Sequence, residues 1–213
     1  MSSAAVSSKP AYVKLKYRMA GAKDRTQLQE YRVECGWGTD RLERYWGDID
    51  RPLAIFSIEA DGREEDVGMG GWILEMQDDA EAASREHRSV QLTSLFIRKQ
   101  FQNLGIGSLA MDILERAAVT NFGAKWLTLD TSALLQEVSA EGEIIELPDT
   151  IGRSIPWYQR RGYKSYRGNR PKYLYPTKAD PSRLLLAAFM RKDAELVVLP
   201  PNGSAITLAD GHS

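Results

Sequence analysis

The chain has little of several things, and each scarcity removes a class of function. A single cysteine, Cys35, among 213 residues excludes an internal disulfide and fits a reducing compartment. His87 and His212 lie far apart, and with one cysteine they offer no zinc-ligand spacing, so no metal is expected. Neither sign of charge prevails. With 28 Lys and Arg against 29 Asp and Glu the formal net charge is -1, no basic face stands out, and no nucleic-acid partner is expected. No apolar run is long enough to cross a bilayer, and residues 1–8 lack the basic and apolar regions of a signal peptide. No membrane partner is expected, and the compartment is the cytoplasm or the nucleus. There is no internal repeat.

What is present is ordinary for one folded domain: 43% hydrophobic and 27% charged residues. The most informative stretch is Gln102-Asn103-Leu104-Gly105-Ile106-Gly107, a glycine-bearing turn between a strand and a helix. Glycines let the backbone approach an anion closely. The unpaired N–H groups of the following first helical turn point at the ligand, with the positive end of the helix dipole behind them. The helix is marked by Ile106, Leu109, Ala110, Ile113, Leu114, Ala117 and Ala118 on one face, with Ser108, Asp112, Glu115 and Arg116 on the other. The lead-in, 90–97, reads as a strand.

Spacing separates three kinds of phosphate site. A nucleotide triphosphate loop needs Lys-Ser or Lys-Thr after its last glycine, and here Ser108-Leu109 follows. The dinucleotide fingerprint G-x-G-x-x-A is matched by residues 105–110, with Asp130 ending the next strand as a candidate ribose acid, which makes a dinucleotide-binding oxidoreductase the minor alternative. Against it, seven residues, Arg98 to Leu104, stand between the strand and the first glycine, and too little chain follows for repeated βαβ units.

The third kind is a coenzyme A cradle. Gln102, Gly105 and Gly107 occupy the three fixed places of Gln/Arg-x-x-Gly-x-Gly/Ala, and Ile155-Pro156-Trp157-Tyr158-Gln159-Arg160-Arg161-Gly162-Tyr163 supplies a later aromatic-Tyr pair, basic stretch and Gly-aromatic. In these two motifs, and in their order, the chain resembles the GNAT superfamily of acyl-CoA-dependent N-acetyltransferases, over about residues 12 to 192. The resemblance implies an α/β fold with a mixed, mostly antiparallel central sheet, two splayed parallel strands and about four helices. It implies acetyl-CoA as acyl donor, no metal, and a small-molecule or protein amine as acceptor.

Carried onto this sequence, the resemblance assigns backbone groups of Leu95, Phe96 and Ile97 to the pantetheine arm, and Gln102, Asn103, Leu104, Gly105, Ile106, Gly107 and Ser108 to the pyrophosphate. Tyr158 is the acid that protonates the leaving thiolate. Where some members have a carboxylate, this chain has Gln91, so the base is sought in Glu75 or Asp130, with Glu34 a third choice. Trp37, Tyr45 and Trp46 stand where members build the acceptor pocket, and they serve equally to close the core. Arg160 and Arg161 are candidates for the 3′-phosphate. Asn103 and Leu104 replace a frequent glycine and a frequent basic residue; asparagine tolerates a left-handed backbone. If Gln91 marks a lost base, the chain is instead a catalytically silent acyl-CoA-binding module.

The remaining elements follow from pattern. Strands are expected at 12–19, 53–60, 67–75, 125–131 and 183–191, and helices after capping boxes at Asp24/Gln27 and Asp40/Glu43. A turn at Asp61-Gly62 makes a hairpin. The insertion 135–149 reads as an extra hairpin, and residues 77–88 as a charged loop. The domain spans 12–192. Residues 1–11 and 200–213 are expected to be disordered tails. The hairpin and the last strand are surfaces through which two copies could pair as a dimer.

Overall fold

The computed structural model describes residues 14–60, 63–138, 144–146, 154–174 and 184–198. The expected tails, the Asp61-Gly62 turn and the centre of the extra hairpin lie outside the described residues. The described strands run in the order β1 (Leu15–Met19), β2 (Leu53–Ala60), β3 (Arg63–Ile73), β4 (Ser89–Ile97), β5 (Trp126–Val138), β8 (Leu184–Asp193), β7 (Lys164–Leu174), with β6 (Ile144–Glu146) paired to β5. β4 and β5 are parallel, and the other paired strands whose register is given are antiparallel. Among the described residues four α-helices accompany them: α1 (Arg25–Cys35), α2 (Asp40–Arg44), α3 (Ile106–Phe122) and α4 (Ser154–Arg160). This is the mixed α/β architecture expected from the sequence. A sheet with one parallel pair is not the doubly wound parallel sheet that the dinucleotide reading requires.

The chain divides into two compact units. The first takes the described residues up to Gly71 together with Ser94–Ile113. Its core is Leu28 and Tyr31 of α1, Leu42 of α2, Ile55, Met69 and Phe96, with Trp37 and Trp46 packed partly buried against it. Two glycines are required here by close approach. A Cβ at Gly68 would meet the Phe96 carbonyl at 2.2 Å, and one at Gly71 would meet Pro52 O at 2.8 Å. Asp24 departs from its expected capping role. Its carboxylate accepts from Arg18 Nη1 at 2.7 Å and from Gly21 N at 2.8 Å, across a short 3-10 turn that precedes α1, and it makes no side-chain cap to α1. A buried carboxylate takes its charged donor first.

The second unit takes Trp72–Thr93 and the described residues from Leu114 onward. Trp72 is fully buried, donates Nε1–H to Leu114 O at 3.0 Å and packs on Phe122. The extra hairpin forms, Gln136 opposite Glu146 and Val138 opposite Ile144. β7 is absent from the sequence-based expectation. Its sequence, KSYRGNRPKYL, carries Gly, Asn and Pro, and its pairing to β8 is interrupted at three places. It stands at the end of the strand order, where a proline without an N–H is tolerated.

Helix α3 follows its periodicity with two exceptions. Leu109 is 38% exposed, whereas Glu115, expected on the polar face, is 3% exposed. Glu115 is buried because it meets two cations, Lys192 Nζ at 2.7 Å and Arg161 Nε at 3.3 Å. Among the described residues no helix is long and apolar enough to cross a membrane.

Candidate active site

In the first unit the glycine turn forms as a strand-to-helix junction. After β4 a 3-10 turn, Lys99–Phe101, leads into extended Gln102. The Gln102 side chain reaches back, Nε2 donating to Ile97 O at 2.8 Å, and so ties the turn to the strand it leaves. Asn103 (φ 64) and Gly105 (φ 80) are left-handed, and Gly105 O then accepts from Ser108 N at 3.0 Å and Leu109 N at 3.3 Å. The backbone N–H groups of Asn103, Leu104, Gly105, Ile106 and Gly107 have no acceptor among the described residues. Residues 102–105 are exposed. Gly105 owes its glycine to φ. Gly107 does not: its φ is ordinary, and a Cβ there would meet nothing nearer than Ile97 Cγ1 at 3.9 Å. Nothing in the protein itself needs that space, so the turn fits an anionic group such as a diphosphate.

The three strand residues assigned to a pantetheine arm differ in what occupies them. Phe96 packs its ring near Tyr31 and Trp37, each at 6.4 Å, and its carbonyl lies against Gly68. Ile97 O is taken by Gln102, and Leu95 is half-buried. Glu34, the third candidate base, accepts from Lys99 N at 2.8 Å and sits 3.4 Å from Arg98 Nε. Trp37, Tyr45 and Trp46 carry stacked guanidinium groups, Arg32 at 5.5 Å, Arg51 at 3.9 Å and Arg25 at 6.0 Å from the respective ring centres. The first unit also holds a hollow of about 550 Å³ beside Arg18, Gln27, Tyr31 and Asp66; Asp66 there is bonded to both Arg18 and Gln27.

In the second unit the parallel ladder is short. Ser89, Val90 and Gln91 pair with Trp126, Leu127 and Thr128, and Gln91 is its last member. Three residues on, Ser94 is left-handed (φ 56), a conformation that costs energy in a non-glycine residue and bends a strand. Gln91 is 3% exposed, donates Nε2–H to Asp130 Oδ2 at 2.7 Å, and leaves its Oε1 buried without a hydrogen bond. Asp130 lies two residues past the ladder on β5, opposite Phe189 of β8.

Tyr158 on α4 is set edge-on against Trp157 (4.8 Å) and Tyr163 (5.8 Å). Its hydroxyl makes no hydrogen bond among the described residues. Burial pushes that hydroxyl up to about 12, the Asp130 charge adds to the rise, and Arg161 opposes it. The second motif's Gly162 (φ 89) ends α4 in a left-handed cap, with Gly162 N to Gln159 O at 2.9 Å and Tyr163 N to Tyr158 O at 3.1 Å, so that Tyr163 turns inward and is buried. Arg161, a candidate for the 3′-phosphate, is held by buried Glu115 and lies 5.4 Å above the Trp157 ring. The Glu115–Lys192–Arg161 group was invisible in the sequence, because its members are 31 to 77 residues apart.

The other candidate base, Glu75, lies in the loop after β3 and accepts from Arg85 N at 2.9 Å. In the charged loop 77–88, Asp79 pairs with Arg167 Nη1 at 2.7 Å and Glu81 with the same group at 3.5 Å. Thus Asp130 is bonded to Gln91 and its charge reaches Tyr158, while Glu75 accepts from Arg85 N.

Comparisons with known proteins bear on the family and the fold. The family model described as Acetyltransferase (GNAT) family matches residues 24–140. Among solved structures, a variant of the spermidine N-acetyltransferase of Vibrio cholerae superposes with a TM-score of 0.60 at 12% identity, covering 86% of this chain and 96% of that one. The ribosomal-protein-S18-alanine N-acetyltransferase of Escherichia coli superposes with a TM-score of 0.56 at 13% identity, covering 90% and 99%. At such identities these likenesses speak for the fold. A search of curated proteins returns no match.

Proposed function

The chain belongs to the GNAT family of acetyltransferases, and on that premise we propose that it transfers an acetyl group from acetyl-coenzyme A to a primary amine. The observation that carries this reading is the turn 102–108, exposed over 102–105, whose N–H groups from Asn103 to Gly107 and spare volume at Gly107 suit a diphosphate. Acetyl-coenzyme A, when bound, supplies a thioester whose C–S bond breaks, leaving a thiolate, as the amine nitrogen forms the new C–N bond.

The chain's own residues divide the remaining work. Residues Gln102 to Ser108 hold the diphosphate, and Leu95 to Ile97 offer backbone groups to the arm. Tyr158 donates its proton to the departing sulfur. Its hydroxyl carries a proton to give at any physiological pH, and burial raises it further, to about 12. Asp130 takes the proton lost by the attacking nitrogen, directly or through water, and is preferred to Glu75 because its charge reaches the Tyr158 hydroxyl. Transfer is direct, with both substrates held together. Cys35 is half-buried and its thiol is pushed up to about 11 by burial, so it offers no thiolate for a covalent acyl-enzyme.

The acceptor is a small amine or a protein amine. The two solved relatives acetylate spermidine and an alanine of a ribosomal protein, and Trp37, Tyr45 and Trp46 are the residues assigned to distinguish such acceptors here. The test is release of free thiol from acetyl-CoA with a panel of amines, comparing native protein with Tyr158→Phe. A loss of ~10²-fold or more in kcat with coenzyme KM unchanged is expected. An unchanged kcat, with chemistry rate-limiting, removes the role of Tyr158. Tight coenzyme binding without turnover on any amine makes the chain a silent acyl-CoA-binding module.

A further inference from the structure

Gln91 is a buried amide at the last rung of the β4–β5 ladder, and its two ends are treated unequally. The N–H end bonds to Asp130 at 2.7 Å, while the oxygen end is buried with no donor. A buried acceptor left unsatisfied costs about 1–3 kcal/mol. Turning the amide over would not remove that cost, because it would set Oε1 against a carboxylate oxygen and leave Asp130 without this donor. The amide is therefore oriented by Asp130, and reciprocally it fixes the Asp130 side chain. A hydrophobic residue of the same size would avoid the orphaned oxygen, so the strand tolerates a polar side chain for what it does to its neighbour.

We propose that Gln91 is a positioning residue for acetyl transfer: its amide clamps the Asp130 carboxylate in one orientation, ready to accept the proton of the attacking amine. This rests on the reading of Asp130 as the base. It explains how a chain with glutamine at that place on β4 can keep a base: the carboxylate has moved to the adjacent strand, two residues beyond the ladder, and the amide holds it. Two titratable groups of the described residues lie within reach of the Asp130 charge. Tyr158 of α4 and Tyr166 of β7 both feel its charge, and both are hydroxyls pushed up to about 12, hence neutral over the working range. Neither competes for the proton that Asp130 would take.

Two readouts test the proposal. The first needs no coenzyme. In the native protein the Gln91 side-chain amide resonances in a 15N-correlation spectrum should move with pH as Asp130 ionises, and in Asp130→Asn that dependence should vanish. Amide signals that do not titrate in the native protein overturn the clamp. The second is kinetic. Gln91→Met should lower kcat by ~10- to 100-fold with KM for acetyl-CoA within ~3-fold, and should move the acidic limb of the kcat profile upward, because an ionised carboxylate has lost a donor. In an Asp130→Asn background the same substitution should cost nothing further.

Gln91→Glu, of matched shape, guards against a folding failure of Gln91→Met. It sets two carboxylates within hydrogen-bond distance, so they share a proton and the acidic limb should rise by more than one pH unit. An unshifted limb in that variant, or losses that add in the double mutant, overturns the proposal while leaving Asp130 as base. Full kcat in Asp130→Asn removes the base assignment, and the clamp's purpose with it.

Discussion

Replacing Gly107 by alanine separates what the fold needs from what the ligand needs. Gly107 is the second residue of α3, its backbone is not left-handed, and an added methyl would meet no protein atom closer than 3.9 Å. For the protein alone the change is favourable, since alanine loses less backbone freedom than glycine on entering a helix, by about 0.5–1 kcal/mol. In a chain of this size that raises Tm by about 1–4 °C. For a diphosphate resting on the turn the same methyl is an obstruction. It pushes a phosphate oxygen away from one or two N–H donors, and hydrogen bonds to a charged group contribute about 1.5–3 kcal/mol each. Coenzyme affinity should therefore fall by at least about tenfold, and by about 100-fold or more if both donors are lost. Thermal melting without ligand and calorimetry with coenzyme A measure the two quantities on one preparation. Raised Tm with affinity unchanged within twofold refutes the placement of the diphosphate. A lowered Tm refutes the claim that the space at Gly107 is unused by the protein.

Three further outcomes follow from the buried groups. Glu115→Ala leaves Lys192 and Arg161 facing each other without their carboxylate, and should cost about 3–5 kcal/mol in urea unfolding; a loss under about 1 kcal/mol means the three side chains reach water. Cys35, whose thiol burial raises from 9.0 to about 11, should react with iodoacetamide at pH 7.5 about 100-fold more slowly than an exposed cysteine, and at the ordinary rate once unfolded. Burial raises Tyr158 and Tyr166 to about 12 and lifts Tyr163 well above its ordinary value, so the folded state binds their protons more tightly than the unfolded chain, whose tyrosines titrate near about 10. Stability should hold up to about pH 10 and decline from there towards pH 12. A urea midpoint equal at pH 9 and pH 11.5 would contradict that burial.

Much of this protein is legible in one dimension because its signals are local. The glycine turn, the apolar stripe of α3 and the Trp-Tyr-x-x-x-Gly-aromatic segment are each set by spacing within a dozen residues. Asn103 was expected to accept a left-handed backbone and does so. β7 escaped because an edge strand need not alternate cleanly, and Gly168, Asn169 and Pro171 hide it. Glu115 was misread as a surface acid because the cations that bury it come from β8 and from the turn after α4. Asp24 looked like a helix cap until Arg18, on a neighbouring strand, claimed its carboxylate.

The sequence by itself determined the family architecture and the turn proposed to receive a diphosphate, since backbone conformation and helix polarity depend on neighbours in the chain. Only the tertiary structure decided that Gln91 bonds to Asp130, that Arg161 belongs to Glu115, and that the Tyr158 hydroxyl is raised above its ordinary value. Those outcomes are set by desolvation and by charges brought together across strands and helices, and neither quantity exists until the chain has folded.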